Sequence, residues 1–398
     1  VKILACSDPL MINSSYSLQM RLLINNLDAG WHYVQNGVRV GQKEEIRDEN
    51  GEILATLYPG ESKSASYSPD KVFKMANELD PDVVFLYEDP QHLYKYMTFQ
   101  RKTPHAAICW FPWDNDEWNG SIGAFLTSCE DSDYVPIGIS RATQKLCHDN
   151  GHDIGQIYNI VDDVFRPLDP TLVNAEKASL LRQFELPRDR KILLYVGRLA
   201  PRKNIESLLS MAQSLRRKRE DFVLFMHCDI NDPGSSCDLR TEIITRGMVE
   251  YVRVNIIEWD KGVSSQELNM LYNCCDVYVS ASGGEGFGLP VCEAGACGKT
   301  FVVPDNTTGP EFSQNGKHGL LAPNGGYYRV LDYINRPFVD HDAMAEQVDY
   351  LLDHKNLAWR MGESFRKWVQ ANCSVKVVME QFKHEMEQFV PLECTVKT

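Results

Sequence analysis

The stretch ASGGEGFGLPVCEAGACG, from Ala281 to Gly298, places two glutamates, Glu285 and Glu293, on either side of a glycine-rich turn. The run before it, DVYVSAS, reads as a buried strand, and Leu289-Pro290 reads as the start of a helix, because proline fits a first helical turn. Gly286 and Gly288 let the backbone come close to a ligand, and the free amides from Phe287 to Val291 would face an oxyanion or a sugar hydroxyl. Glu285 then precedes the helix and Glu293 lies inside it, so both carboxylates could face one ligand from different heights. A glutamate near a helix N-terminus also serves simply to offset the dipole. Upstream, the strand-like KILLYVG is followed by RLAPRKN, which puts Arg198 and Lys203 in a strand-to-helix loop. Such a pair can grip a diphosphate, the arginine as a planar fork and the lysine as a mobile point charge, with the helix start near Asn204 adding its positive end. A basic loop is as often merely solvated, so this spacing alone leaves both readings open.

The elements that must position these residues follow an alternation of apolar runs and amphipathic stretches, the pattern of parallel α/β layers. VKILAC, DVVFLY and HAAICWF read as strands of a first series, with SLQMRLLINNL and DKVFKMANEL as helices between them. A second series runs through KILLYVG, FVLFMHC, VRVNII, DVYVSA and TFVVP, with helices at NIESLL, SQELNMLY and LPVCEAGAC. The chain has 398 residues, more than one core usually serves, and Pro167, Pro170 and Pro187 break the periodicity between the two series. The expected division is therefore 1–170, a Rossmann-like first domain, and 171–373, a Rossmann-like second domain. Two such doubly wound domains facing each other would form a cleft, since ligands bind at the carboxyl ends of parallel strands. A final amphipathic helix and tail, 374–398, are expected to pack toward the first domain. The polar segment from Gly41 to Ser68 reads as exposed strands or loops.

Composition limits the partners. Hydrophobic residues make up 43% and charged residues 24% of the chain, and no apolar run is long enough to cross a bilayer. The N-terminal VKILACSDPLM enters a strand directly and carries no secretory pattern, so the expected location is cytoplasmic. Residues 1–170 hold 14 Lys and Arg against 25 Asp and Glu, which is −11 of the total −14. That acidity argues against nucleic acid or a bare anionic membrane as partner. The dense basic run Arg216-Arg217-Lys218-Arg219 closes an apparent helix and reads as a solvated face beside the negative helix end. Twelve cysteines contain no C-x-x-C pair and read as small core residues, with neither disulfides nor zinc expected.

The motifs VGRLAPRKNIESLL and EGFGLPVCEAGACG together resemble the nucleotide-sugar-binding domain of retaining glycosyltransferase family 4. TTGPEFSQNGKHGLLAP resembles the family's segment ending in a Gly-Leu-Leu strand, and IYNIVDDVFRPLD its interdomain entry. The resemblance implies a GT-B fold and transfer of a sugar from a UDP- or GDP-linked donor to a hydroxyl of a glycan, glycoprotein or other acceptor. It implies that Arg198 and Lys203 clamp the donor diphosphate and that Glu285 bonds the donor sugar. Amides around Phe287, Gly288 and Leu289 would help, Glu293 would hold the ribose, and the base would lie near Glu258 and Trp259. No metal or cofactor beyond the donor is implied.

Two departures from the family stand in the first half. Where members carry Gly-Gly in the first strand-to-helix loop, this chain has INSSYSLQM, which puts Ser15 and Tyr16 in the donor-phosphate neighbourhood. Where many members carry a histidine beside the reacting sugar, it reads ICWFPWDNDEW, with Asp114 at the equivalent point. The competing readings are a manganese-dependent GT-A enzyme using DND or DSD, a nucleotide-sugar isomerase or hydrolase on the same scaffold, and a catalytically silent sugar-nucleotide binder.

Overall fold

The structure is a computed structural model that describes residues 1–37, 43–60, 68–97, 105–130, 132–235, 237–256, 262–329 and 334–388. The chain divides into two compact units, Val1–Ile160 with Cys373–Thr398, and Val161–Asn372. The division thus falls at Ile160/Val161 and not at residue 170, and the chain from Cys373 groups with the first unit.

Among the described residues, the first unit carries a sheet in the order Glu44–Arg47, Ile53–Pro59, Gly30–Gln35, Lys2–Ser7, Val83–Tyr87, Ala107–Phe111, Tyr134–Gly138 and Gly155–Gln156. Its neighbours pair in parallel except at the Glu44–Arg47 edge, which is antiparallel. From Lys2–Ser7 the chain winds outward on one side through Gly30–Gln35 and then returns to build the other side from Val83–Tyr87. The direction of winding therefore reverses between Lys2–Ser7 and Val83–Tyr87. The Gly41 to Ser68 segment departs from the exposed reading within its described part. Ile53–Pro59 is an inner strand, paired on both sides, with Ala55 and Leu57 buried.

The last helix, Val375–Glu387, buries Val378, Met379, Phe382 and Met386, a three-and-four spacing that lays one face on the first unit. Phe382 stands edge-on to Trp110 at 4.9 Å and to Phe85 at 5.5 Å between ring centres. The indole N–H of Trp110, fully buried, donates to the Ile157 carbonyl at 2.9 Å. These rings supply both buried area and edge-to-face attraction, so the helix is part of the first unit's core.

The second unit carries a wholly parallel sheet in the order Val252–Ile256, Phe222–Cys228, Lys191–Val196, Val277–Val279, Phe301–Pro304 and Leu320–Ala322. Winding starts at Lys191–Val196 and reverses at Val277–Val279, so these two adjacent strands flank the switch point. A two-stranded antiparallel ribbon, Asn324–Arg329 with Asn335–Val339, follows the last strand. The basic run is not simply solvated. Arg217 pairs with Asp342 and Lys218 with Glu346, while Arg219, with a side chain 14% exposed, pairs with Asp221, Asp349 and Asp353. The run clamps the helix Ile205–Arg216 to the acidic side of His341–Asp353. The described cysteines are free, and all but Cys237 are buried.

If Phe382 closes the first unit's core, Phe382→Ala should cost about 3–5 kcal/mol of unfolding free energy. Chemical denaturation followed by tryptophan fluorescence would read this through Trp110. An unchanged midpoint would mean the helix merely rests on the surface.

Candidate functional site

Open parallel sheets place ligands outside the carboxyl ends of their strands, where the winding reverses. In the second unit those ends lead into the loop Gly197–Asn204 and the turn Ser280–Gly288. Backbone and side-chain bonds stitch the two together. The Gly283 N–H donates to the Arg202 carbonyl at 2.6 Å, and the Asn204 side chain donates to the carbonyls of Ala281 and Pro337. Asn204 is left-handed, φ 48°, a conformation asparagine tolerates better than most residues. A Cβ at Gly283 would sit 2.6 Å from the Pro337 carbonyl oxygen, so only glycine allows this approach.

The charged groups fall into two adjoining sets. Arg202 reaches Glu285 at 3.0 Å and the Gly284 carbonyl at 2.9 Å, and Lys203 pairs with the other Glu285 oxygen. Burial alone would raise the Glu285 carboxyl, but Lys203 and Arg202 outweigh it and hold the group at about 2. It is therefore a carboxylate throughout the ordinary pH range. Beside this set, Arg198 binds Asp232 through Nε and one terminal nitrogen, at 3.0 and 2.8 Å, with its own side chain 55% exposed. Asp232 is fixed in turn by the amides of Leu199 and Gly234. Arg198 and Lys203 thus lie in one loop as the motif predicts, but on different carboxylates. Arg202, Asp232 and Asn204 were not singled out in the sequence. Arg202 stands in the same RLAPRKN stretch, and spacing gave no way to rank it against its neighbours.

A third loop completes the set. The Glu285 N–H donates to the Thr307 hydroxyl at 3.0 Å, and the Asn306 side chain donates to the Ser282 carbonyl. Thr307 is left-handed, φ 41°, an outlier for a β-branched residue and a local strain held by its surroundings. Together Ser282, Glu285, Asn306, Thr307 and Thr308 line a recess. Next to it Gly288, φ 92°, starts the helix Leu289–Ala296. The Phe287 side chain turns inward onto Phe312 at 5.5 Å, and Leu289 is buried. Their side chains are packing groups, so any contact they make with a ligand runs through the backbone.

Glu293 stands apart from the ion cluster. It is buried inside the helix and accepts from the Tyr272 hydroxyl at 2.6 Å. Burial pushes its carboxyl up to about 7, against the lowering effect of that bond, with Asp162 adding a further rise. Burial, with the charges of Glu285 and Glu293, raises the buried Tyr278 hydroxyl well above its ordinary value. Glu258 and Trp259 lie outside the described residues.

The first unit has its own switch point, at the ends of Lys2–Ser7 and Val83–Tyr87. Ser14 caps the helix Ser15–Asn26 through its hydroxyl, leaving Ser15 exposed in the first turn. The Tyr16 hydroxyl donates to Asp89 at 2.7 Å, and its ring lies 4.6 Å from that of Tyr87. Asp114 is partly exposed in the loop after Ala107–Phe111. Asn115, beside it, accepts from the Glu117 N–H and shapes that loop as an Asx turn. Trp113 bonds the Glu117 carbonyl and Trp118 stacks on His152, so both indoles have structural work.

A sequence model for the family described as glycosyl transferases group 1 matches residues 176–368. The chain is 33% identical over 154 residues to O-antigen chain mannosyltransferase B of Escherichia coli, covering 38% of this chain and 37% of that protein. It is 26% identical over 216 residues to a GDP-mannose-dependent alpha-(1-6)-phosphatidylinositol monomannoside mannosyltransferase of Mycobacterium tuberculosis, covering 52% of this chain and 49% of that protein. The matches therefore span about a third to a half of the relatives' own length. Sucrose-phosphate synthase of Thermosynechococcus elongatus superposes with a TM-score of 0.73 at 16% identity, over 97% of this chain and 98% of that one. Anabaena HepE in complex with UDP gives 0.72 at 15% identity, over 98% and 100%. The fold is GT-B.

Glu293 supplies a test of the buried carboxyl. Its folded value, about 7, exceeds the ordinary 4.5, so its contribution to stability is complete below the ordinary value and is lost as pH rises through about 7. The shift corresponds to about 3 kcal/mol across that window. Glu293→Gln should remove this slope from unfolding free energies measured between pH 4.5 and 8. Parallel pH profiles for the two proteins would refute the assignment.

Proposed function

We propose that this chain, whose residues 176–368 match the group 1 glycosyltransferase family, moves a sugar from a UDP- or GDP-linked donor to an acceptor hydroxyl, with retention of anomeric configuration. The observation that carries the proposal is the cluster of Arg202, Lys203 and Glu285, with Arg198 beside it, at the second unit's switch point. Three cations in one loop match the charge of a diphosphate, and their backbone frame is already fixed by the Gly283 and Asn204 bonds. A diphosphate arriving there competes with Glu285 for Lys203 and Arg202. Glu285, released from one cation, is then placed to accept a hydrogen bond from a donor-sugar hydroxyl.

Glu293, fixed by Tyr272 through one oxygen, is assigned to the ribose hydroxyls through the other. The acceptor is assigned to the first unit's carboxyl edge, where Tyr16 and Asp114 stand; Ser15, exposed beside Tyr16, is available for a polar contact. In the reaction the bond from the anomeric carbon to the diphosphate oxygen breaks and its electron pair leaves with the diphosphate. The acceptor oxygen bonds the same carbon from the same face, and its proton passes to the departing phosphate oxygen. No enzyme nucleophile is needed. Stabilising the leaving diphosphate is the largest contribution, and the three cations supply it without calling on a metal ion.

The relatives and structural neighbours support both donor bases, since one is named GDP-mannose-dependent and another holds UDP. A thermal-shift screen of UDP- and GDP-sugars would name the base and sugar, because a ligand bound at a hundred times its Kd stabilises by about 2.7 kcal/mol. Lys203→Ala and Arg198→Ala should each lower transfer about 100- to 1,000-fold, measured as acceptor-dependent release of nucleoside diphosphate. Full transfer at unchanged donor affinity in either variant would remove the proposed clamp. Release at the same rate without any acceptor would replace transfer by hydrolysis.

A further inference from the structure

The edge of the second unit's sheet opposite the ion cluster holds a second recess, of about 200 Å³ and open to solvent. It lies at the amino ends of three adjacent strands, where Lys191, Val277 and Thr300 line it, and against the first turn of the helix Lys355–Cys373. Trp359 stands at its rim with 66% of its surface exposed. Most tryptophans of this chain are in packed or bonded settings, such as Trp110 and Trp113, so an indole beside a concave surface is an available platform.

The charge lining the recess is mostly positive. Lys191, Lys299 and Lys355 line it, and among the described lining residues Asp276 is the one acid. Asp276 is already engaged by Lys177 at 2.5 Å and by the Ile192 N–H at 2.7 Å. The Lys299 and Lys191 ammoniums touch backbone carbonyls, Asn273 at 2.6 Å and Asp189 at 3.1 Å. The helix beginning at Lys355 has no acidic residue in its first turn, so its positive end adds to the same field.

We propose that this recess binds a sugar phosphate, with Trp359 beneath the apolar face of the pyranose and Lys355, Lys191 and Lys299 around the phosphate. A pyranose presents C–H groups to an indole face, and a phosphate dianion suits three lysines whose one lining carboxylate, Asp276, is already paired with Lys177. The site lies across the sheet from Lys203 and Glu285 and does not depend on the donor assignment.

The test is a titration of the full chain with mannose 6-phosphate, followed by isothermal calorimetry, with inorganic phosphate and mannose as separate probes. Trp359→Ala and Lys355→Glu alter exposed side chains, and a melting curve would verify that each variant folds. Saturable binding is expected, weakened about tenfold or more in either variant and by a similar factor for inorganic phosphate alone. Binding should be unchanged in Lys203→Ala, which separates this site from the donor site. No saturable binding, equal binding of inorganic phosphate, or loss in Lys203→Ala with Trp359→Ala unaffected would each overturn the proposal. So would sedimentation showing a dimer that Trp359→Ala dissociates, because the indole would then be covered by a second copy.

Discussion

The second unit's switch point depends on one partly buried carboxylate. Glu285 has little contact with water, and an isolated carboxylate there would be strongly disfavoured. It remains charged because Lys203 and Arg202 approach both of its oxygens, and their attraction exceeds the desolvation cost. Those cations can reach it only if the loop Gly197–Asn204 lies flat against the turn Ser280–Gly288. The Gly283 approach to Arg202, the left-handed Asn204 and the Thr307 bond to the Glu285 amide are the backbone conditions for that closeness. Removing one partner of such a cluster leaves an uncompensated buried charge, so the arrangement is rigid for electrostatic as well as steric reasons.

The two units use the same sheet edge with opposite polarity. In the second unit, cations converge on a single glutamate. In the first, the edge gathers Asp8, Glu88 and Asp89 with Asn36, Tyr16 and Tyr96. Glu88 is buried, and desolvation, reinforced by Asp8, pushes its carboxyl well above the usual range despite the bond from Asn36. Asn36 in turn accepts from Tyr96 and from the Ser68 N–H. This acidic, hydrogen-bonded network suits a partner bearing hydroxyls better than one bearing phosphate. The acidity of residues 1–170 in the sequence is the coarse trace of the same division.

Much of this architecture was legible in the sequence because parallel strands buried on both faces read as unbroken apolar runs. KILLYVG, FVLFMHC and DVVFLY are such runs, and each is a central strand. Strands that mix polar residues gave no such signal. Gly30–Gln35 carries His32 and Gln35, and Ile53–Pro59 sits in a polar stretch, yet both pair inside the sheet. Arg198, Lys203 and Glu285 could be found because glycine, proline and charge are concentrated at strand ends. Asp232 could not, because its value lies in where its chain crosses Arg198, 34 residues away. Arg216 to Lys218 are exposed as read, but the pairing of Arg217, Lys218 and Arg219 with acids of a helix more than a hundred residues on was not legible, for the same reason. Local pattern reports burial and turn chemistry, while pairing at a distance is a property of the fold.

That distinction also bears on the two glutamates. Their spacing suggests a matched pair, but their surroundings divide them into different chemical species at neutral pH. Glu285, between two cations, is an anion, whereas Glu293, buried against Tyr272, sits near half-protonation. A general acid and base would also show separated values, so separation alone does not decide the role. Geometry does. Glu285 is occupied on both oxygens by cations and cannot take a proton until they are drawn elsewhere, while one Glu293 oxygen is held by the Tyr272 hydroxyl. A diphosphate is the kind of ligand that can draw Lys203 and Arg202 away without leaving them uncompensated, since it replaces one anion by another. Holding the ligand and releasing Glu285 are then a single exchange of ion partners. The enzyme group that gains freedom is an acceptor of hydrogen bonds, fixed in position by its own amide on Thr307.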